Sequence, residues 1–122
     1  MPFDAQTLSR LAASEEVTIE TARPDGSLRR TIIWLVVDGG EVFVRSVRGD
    51  RGHWYQAALD RPADLHLLVD GRRIAIRATP AAGDDDVARC TRALALKYAG
   101  DRSLPLMLAS KVLSTTLRLE PR

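Results

Sequence analysis

Three tight-turn signals, Pro24-Asp25-Gly26, Asp38-Gly39-Gly40 and Asp70-Gly71, each separate a pair of short apolar-rich segments, and no other feature constrains the fold as much. Turns this short join antiparallel neighbours, whereas parallel pairing needs a long crossover. Around them the side chains alternate with a period of two. Val17, Ile19 and Thr21 share one face of a predicted strand, and Ile74, Ile76 and Ala78 oppose Arg73, Ala75 and Arg77 in another. Further strands are predicted over Thr31 to Val37, Val42 to Val47, Leu65 to Val69 and Leu113 to Leu119.

Helices fall between these strands. Asp4 can cap a short one, with Phe3 stapled onto Leu8. A second, of about two turns, runs from His53 to Leu59 and is ended by Pro62. A third opens on Asp84-Asp85-Asp86, whose charges suit the positive end of a helix, and stops at Gly100. A short apolar stretch from Pro105 to Ala109 is helical as well. The predicted order is αβββαββαβ in a single domain, residues 1–122. This is a mainly β, α+β fold: six antiparallel strands closed into a small Greek-key-like barrel, because closure removes unpaired edges. Two strands, Thr31 to Val37 and Val42 to Val47, are apolar on both faces. A barrel wall has one inside, so the second face needs a covering helix or a second subunit, and the reading favours a homodimer.

Composition excludes several classes. The chain is 45% hydrophobic and 28% charged, as in ordinary globular proteins. It has one cysteine, Cys90, which cannot form an internal disulfide and lies in the apolar stripe of its helix as a small core hydrophobe. With two histidines no metal cluster is expected. The first residues have no signal-peptide pattern, and the longest apolar run, Ile32 to Val37, is far below a membrane span. A cytoplasmic protein with no membrane partner is the expectation. The net charge of +2 does not suggest a nucleic-acid binder, although all but two of the 18 cations are arginine. Arg72, Arg73 and Arg77 read as a solvated basic strand face.

The segment richest in chemistry is Arg45-Ser46-Val47-Arg48-Gly49-Asp50-Arg51-Gly52-His53-Trp54-Tyr55. Arginines, a serine and glycines converge just before a helix, where free backbone N–H groups favour an anion. Trp54 and Tyr55 offer flat surfaces for a ring. A ligand with a phosphate at one end and an aromatic system at the other suits this arrangement. A solvated basic turn beside two core aromatics fits the same residues.

Here the sequence resembles a family. The strand Thr31 to Val37, the turn Asp38-Gly39-Gly40, the run Val42-Phe43-Val44-Arg45-Ser46, the glycine-basic loop and the spacing from Trp54-Tyr55 to Pro62 resemble the split-barrel flavin and deazaflavin proteins. These are the superfamily of pyridoxamine-phosphate oxidase and the F420-dependent nitroreductase-like enzymes. The resemblance is nearest to a bacterial branch known as DUF2255. It implies a six-stranded split barrel, a homodimer and a cofactor groove. By position, Ser46, Arg48 and Arg51, with Gly49 in their loop, would hold the cofactor phosphate. Thr31 and Ile33 would lie along the ring system, and Trp54 and Tyr55 would close the groove. The loop is shorter than in the relatives, and Ala57-Ala58 stand where Asn-Leu often follows the aromatic pair.

The resemblance implies F420-dependent hydride transfer to a small organic substrate, with FMN as the second cofactor candidate. The alternatives are a cofactor-binding or cofactor-free barrel without turnover, and, least favoured, a nucleic-acid-binding barrel. Tyr55 and Tyr98 are conceivable proton donors, but the sequence selects no catalytic residue. His53 could ligate haem, as a histidine does in some split-barrel relatives, although a histidine at a helix start is ordinarily a surface group.

Overall fold

Trp34 decides the topology. The structure is a computed structural model that describes residues 2–122. In it, strands β1 (Val17–Ala22), β2 (Leu28–Ile33), β3 (Leu35–Asp38), β4 (Glu41–Val44), β5 (Leu65–Val69), β6 (Arg72–Pro80) and β7 (Leu117–Pro121) form one sheet in the order β2-β1-β5-β6-β7-β4-β3. The two edge strands are consecutive in the chain and joined by Trp34 alone. Two Cα steps reach about 8 Å, so the sheet must curl until its edges meet. The result is an antiparallel barrel split at a seam, with helices on its flank and end.

The anticipated six strands are therefore seven. The predicted strand Thr31 to Val37 breaks at Trp34 into segments of β2 and β3, one on each side of the seam. Side chains from helix α3 (Asp84–Lys97) and its C-cap hold this break. Trp34 stacks on Tyr98 with ring centroids 3.9 Å apart and planes 4° from parallel. The Tyr98 hydroxyl accepts from Leu35 N (3.3 Å) and donates to Glu15 O (2.6 Å). Lys97 Nζ donates to Leu35 O (2.6 Å) and Leu11 O (3.2 Å). The backbone at the seam is thus bonded by side chains more than sixty residues away.

Two other boundaries move. The strand expected to run to Val47 stops at Val44, because Ser46 N donates to Thr115 Oγ1 (3.0 Å) instead of to a ladder partner. The closing strand begins at Leu117, not Leu113. Residues Ser110–Thr115 form a 3₁₀ turn, closed by Thr115 and Thr116 hydroxyls donating to Val112 O and Leu113 O.

Inward-facing Ile19, Leu65, Leu67, Ile76, Leu117 and Leu119 fill the barrel. Helix α1 (Ala5–Ala13) adds Leu11, and its N-terminus is capped by Asp4, which accepts from Thr7 N at 2.7 Å as its sequence position predicts. Helix α2 (His53–Asp60) contributes Trp54, Tyr55 and Ala58 to the same core. The second apolar face of β3 and β4 is covered from within the chain. Val36 and Phe43 pack with Cys90 and Leu94 of α3 and with Met107 of α4 (Leu104–Leu108). Cys90 is a buried core thiol, and burial pushes its pKa up to about 11. The outer face of β2 has no such cover: Leu28 is exposed, and Ile32 is 64% exposed.

The basic strand face is not simply solvated. Glu20 of β1 is 1% exposed and lies beneath Arg73, which donates twice to Oε1 (2.9 and 2.7 Å), and Arg30, which donates to Oε2 (3.1 Å). Burial pushes the carboxyl up, but the hydrogen bonds from Arg73 and Arg30 outweigh it and hold its pKa below the ordinary 4.5. A carboxyl with a lowered folded-state pKa contributes stability above its unfolded value and loses it as pH falls through the folded one. Glu20→Gln should cost about 1–3 kcal/mol at pH 7, since both arginines remain half in water. It should also flatten the loss of stability below pH 4.5, read from urea midpoints across pH.

Candidate ligand-binding cleft at the barrel seam

Beyond β4 the chain makes one 3₁₀ turn, Gly49–Arg51, and enters α2 through Gly52. Gly49 has φ +67°, a conformation that favours glycine, and donates its N–H to Ser46 O at 3.0 Å. Gly52 is needed for a different reason. A Cβ at that position would collide with Ser46 Oγ. The glycine thus lets the start of α2 lie directly on the serine. No side chain caps α2, so its leading N–H groups have no side-chain acceptor.

Ser46 is 1% exposed, and its Oγ has no hydrogen-bond partner among the described residues. Buried polar groups are nearly always paired, and leaving one unpaired costs about 1–3 kcal/mol. An orphaned hydroxyl beside an uncapped helix start is a place for an acceptor with charge to share. Arg48, exposed on the same loop, adds a positive charge.

These groups open onto a cleft of about 490 Å³, within the usual range for small-molecule sites. Thr31, Ile33 and Trp34 line it from the seam, Ser46 and Arg48 from the loop, and Trp54 from α2. Arg29 of β2 and His53 of α2 also line the cleft, with the Arg29 guanidinium against His53 Nδ1.

Five of the residues expected to serve a cofactor line the cleft: Thr31, Ile33, Ser46, Arg48 and Trp54. Three do not. Gly49 is buried against Lys111 O and Val112 and acts through the turn it makes. Arg51 is exposed away from the cleft lining. Tyr55 faces the barrel core, edge-on to Trp54 with centroids 6.2 Å apart, and does not close the groove. Trp54 shares that core, and of the two only Trp54 also lines the cleft. Neither tyrosine is placed as a proton donor. Burial raises the pKa of Tyr55, and burial pushes that of Tyr98, tied to the backbone at the seam, up to about 12.

The sequence reading missed Trp34 and Gly52. Trp34 is half-buried at the seam, with its indole stacked on Tyr98 and its edge of the chain on the cleft. Its signal was an aromatic in the middle of a doubly apolar strand. Gly52 was one of two glycines in the loop, and only the approach of Ser46 distinguishes it.

The seam, the single antiparallel sheet and the loop-to-helix cleft define a split-barrel protein. Solved structures agree. The conserved hypothetical protein Rv2991 from Mycobacterium tuberculosis aligns with all of this chain and 82% of its own, at 17% identity and a TM-score of 0.71. A heme binding protein from Mycobacterium smegmatis is similar over 98% of this chain and 51% of its own, at 16% identity and a TM-score of 0.67. An F420-H2 dependent reductase, FDR-A, is similar over 87% of this chain and 94% of its own, at 12% identity and a TM-score of 0.63. At such identities the likeness is one of fold. The chain belongs to the DUF2255 family, described as an uncharacterized protein conserved in bacteria, whose model matches residues 7–119. No curated protein matches the sequence. Among the described residues no helix is long and apolar enough to cross a membrane.

Gly52→Ala should lower stability by about 1–3 kcal/mol through overpacking. Adding Ser46→Ala should restore most of that loss, because the methyl would then meet only ordinary contacts. Thermal denaturation of the two single variants and the double variant reads the coupling.

Proposed function

We propose that the cleft binds a phosphorylated planar-ring cofactor of the flavin or deazaflavin class, F420 ahead of FMN, and that the chain is an oxidoreductase acting on a small organic substrate. The observation that carries this reading is the buried, unpartnered hydroxyl of Ser46 beside the uncapped start of α2. Donors of this kind match a phosphate in charge and hydrogen bonding, and Gly52 leaves the close backbone approach that such a group needs. The preference for F420 rests on the spacing from Trp54-Tyr55 to Pro62.

When bound, the cofactor supplies the hydride chemistry. The chain's residues bind and orient it. Ser46 Oγ and the leading N–H groups of α2 hold the phosphate, with Arg48 at the solvent side. Ile33 and Trp34 give the ring an apolar wall and exclude water from that side, while Thr31 supplies a polar edge. With Tyr55 in the core and Tyr98 committed to the backbone, the protic groups left at the cleft include Glu16, Ser103 and His53. That withdrawal of both tyrosines also favours a second reading, a cofactor carrier without turnover.

The proposal includes a cytoplasmic homodimer. Exposed Leu28 and Ile32 on the uncovered face of β2, with Val47 in the loop, are the surface a second copy would cover. The single buried thiol suits a reducing compartment.

Absorbance and fluorescence titration of the folded protein with F420 and with FMN tests the reading. Saturable binding of one of them, weakened about tenfold by Ser46→Ala, is expected. A folded protein that binds neither contradicts it. Turnover of the reduced cofactor with enones or nitro compounds separates an enzyme from a carrier.

A further inference from the structure

Arg45 is the largest of the fully buried side chains and only 1% exposed. In the sequence it stands at the head of an arginine-rich segment that fits an anion site or a solvated basic turn. In the fold it points away from solvent and ties four places together. Nε donates to Thr116 Oγ1 (2.9 Å), Nη1 to Thr91 Oγ1 (3.2 Å) and Met107 O (3.0 Å), and Nη2 to Val87 O (3.2 Å). All four acceptors are neutral.

Buried charges are ordinarily paired, because neutral dipoles do not replace the lost hydration of an ion. Glu20, the other charged side chain buried to this degree, obeys the rule beneath two arginines. Among the described residues no ion pair includes Arg45. The ionisable neighbour that acts on it is Cys90, and burial keeps that thiol protonated at neutral pH. Arginine cannot escape the problem by releasing its proton. The positive charge is therefore fixed and lacks a partner.

Its position says where a partner would come from. Arg45, its neighbour Ser46 and its acceptor Met107 all line the cleft. We infer that Arg45 is the buried counter-charge of the cleft, a specificity-determining residue that selects a phosphate-bearing ligand over the same ring without its phosphate. The inference rests on the flavin-class reading and adds to it the residue that discriminates. Exposed Arg48 and buried Arg45 differ in kind: salt screens the first and hardly reaches the second. Discrimination by Arg45 should therefore persist at high ionic strength.

The test compares FMN with riboflavin, and F420 with the same deazaflavin lacking its phosphate arm, at low and high salt. The proteins are the wild type, Arg45→Met and Arg45→Lys. The wild type should favour the phosphorylated member by about tenfold or more at both salt concentrations. Arg45→Met should lose about tenfold of that preference at both salt concentrations, the remainder coming from Ser46 and the start of α2, with affinity for the unphosphorylated member unchanged, and Arg45→Lys should keep the full preference. A preference undiminished in Arg45→Met at high salt overturns the inference and leaves the flavin-class reading standing. Failure of the wild type to bind any of the four overturns both. If Arg45→Met does not fold, the wild-type Arg45 Nε–Hε resonance decides during titration with inorganic phosphate. It should shift saturably, and a stationary signal overturns the inference.

Discussion

The whole arrangement depends on one covalent constraint, the single residue between two strands at opposite edges of one sheet. Because Trp34 alone joins β2 to β3, the sheet cannot remain open. The seam is also the weak point of the barrel, since edge strands leave backbone groups unpaired. Tyr98 and Lys97 supply bonds to Leu35 there, and Trp34 lies flat on Tyr98. The closure of the barrel, the docking of α3 and the wall of the cleft are consequences of the same contact.

The chemistry follows from what the fold leaves unpaired. Away from the cleft Glu20 is matched with Arg30 and Arg73, and Arg89 with Asp38 and Glu41. At the seam cleft the balance fails three times in neighbouring places. The hydroxyl of Ser46 has no partner, the start of α2 has no cap, and the guanidinium of Arg45 has no counter-ion. One such lapse is a local cost, but three on one cleft are what supports the proposed anion site.

Much of the fold was legible because its signals are local. Asp70-Gly71 have φ of +50° and +74°, and Gly39-Gly40 +57° and +80°, the left-handed pairs that two-residue hairpins require. Asp4 caps its helix and Cys90 fills its stripe because a few neighbouring residues decide both. What was illegible depends on distant partners. Nothing in the run Thr31 to Val37 marks a break, since Tyr98 and Lys97 make it from the other half of the chain. Arg45 looks like its exposed neighbours Arg48 and Arg51, and only α3 and α4 packing over it bury it. Adjacent Trp54 and Tyr55 look like one aromatic surface, but both are buried in the core and only Trp54 also lines the cleft.

The central claim is that the start of α2 and Ser46 form an anion site. Amide chemical-shift mapping during titration with a phosphorylated flavin tests this most directly. The account predicts that the largest saturable shifts fall on Ser46, Gly52, His53 and Trp54. Shifts confined to the basic strand face around Arg72 and Arg77, or none at saturating ligand, would contradict it.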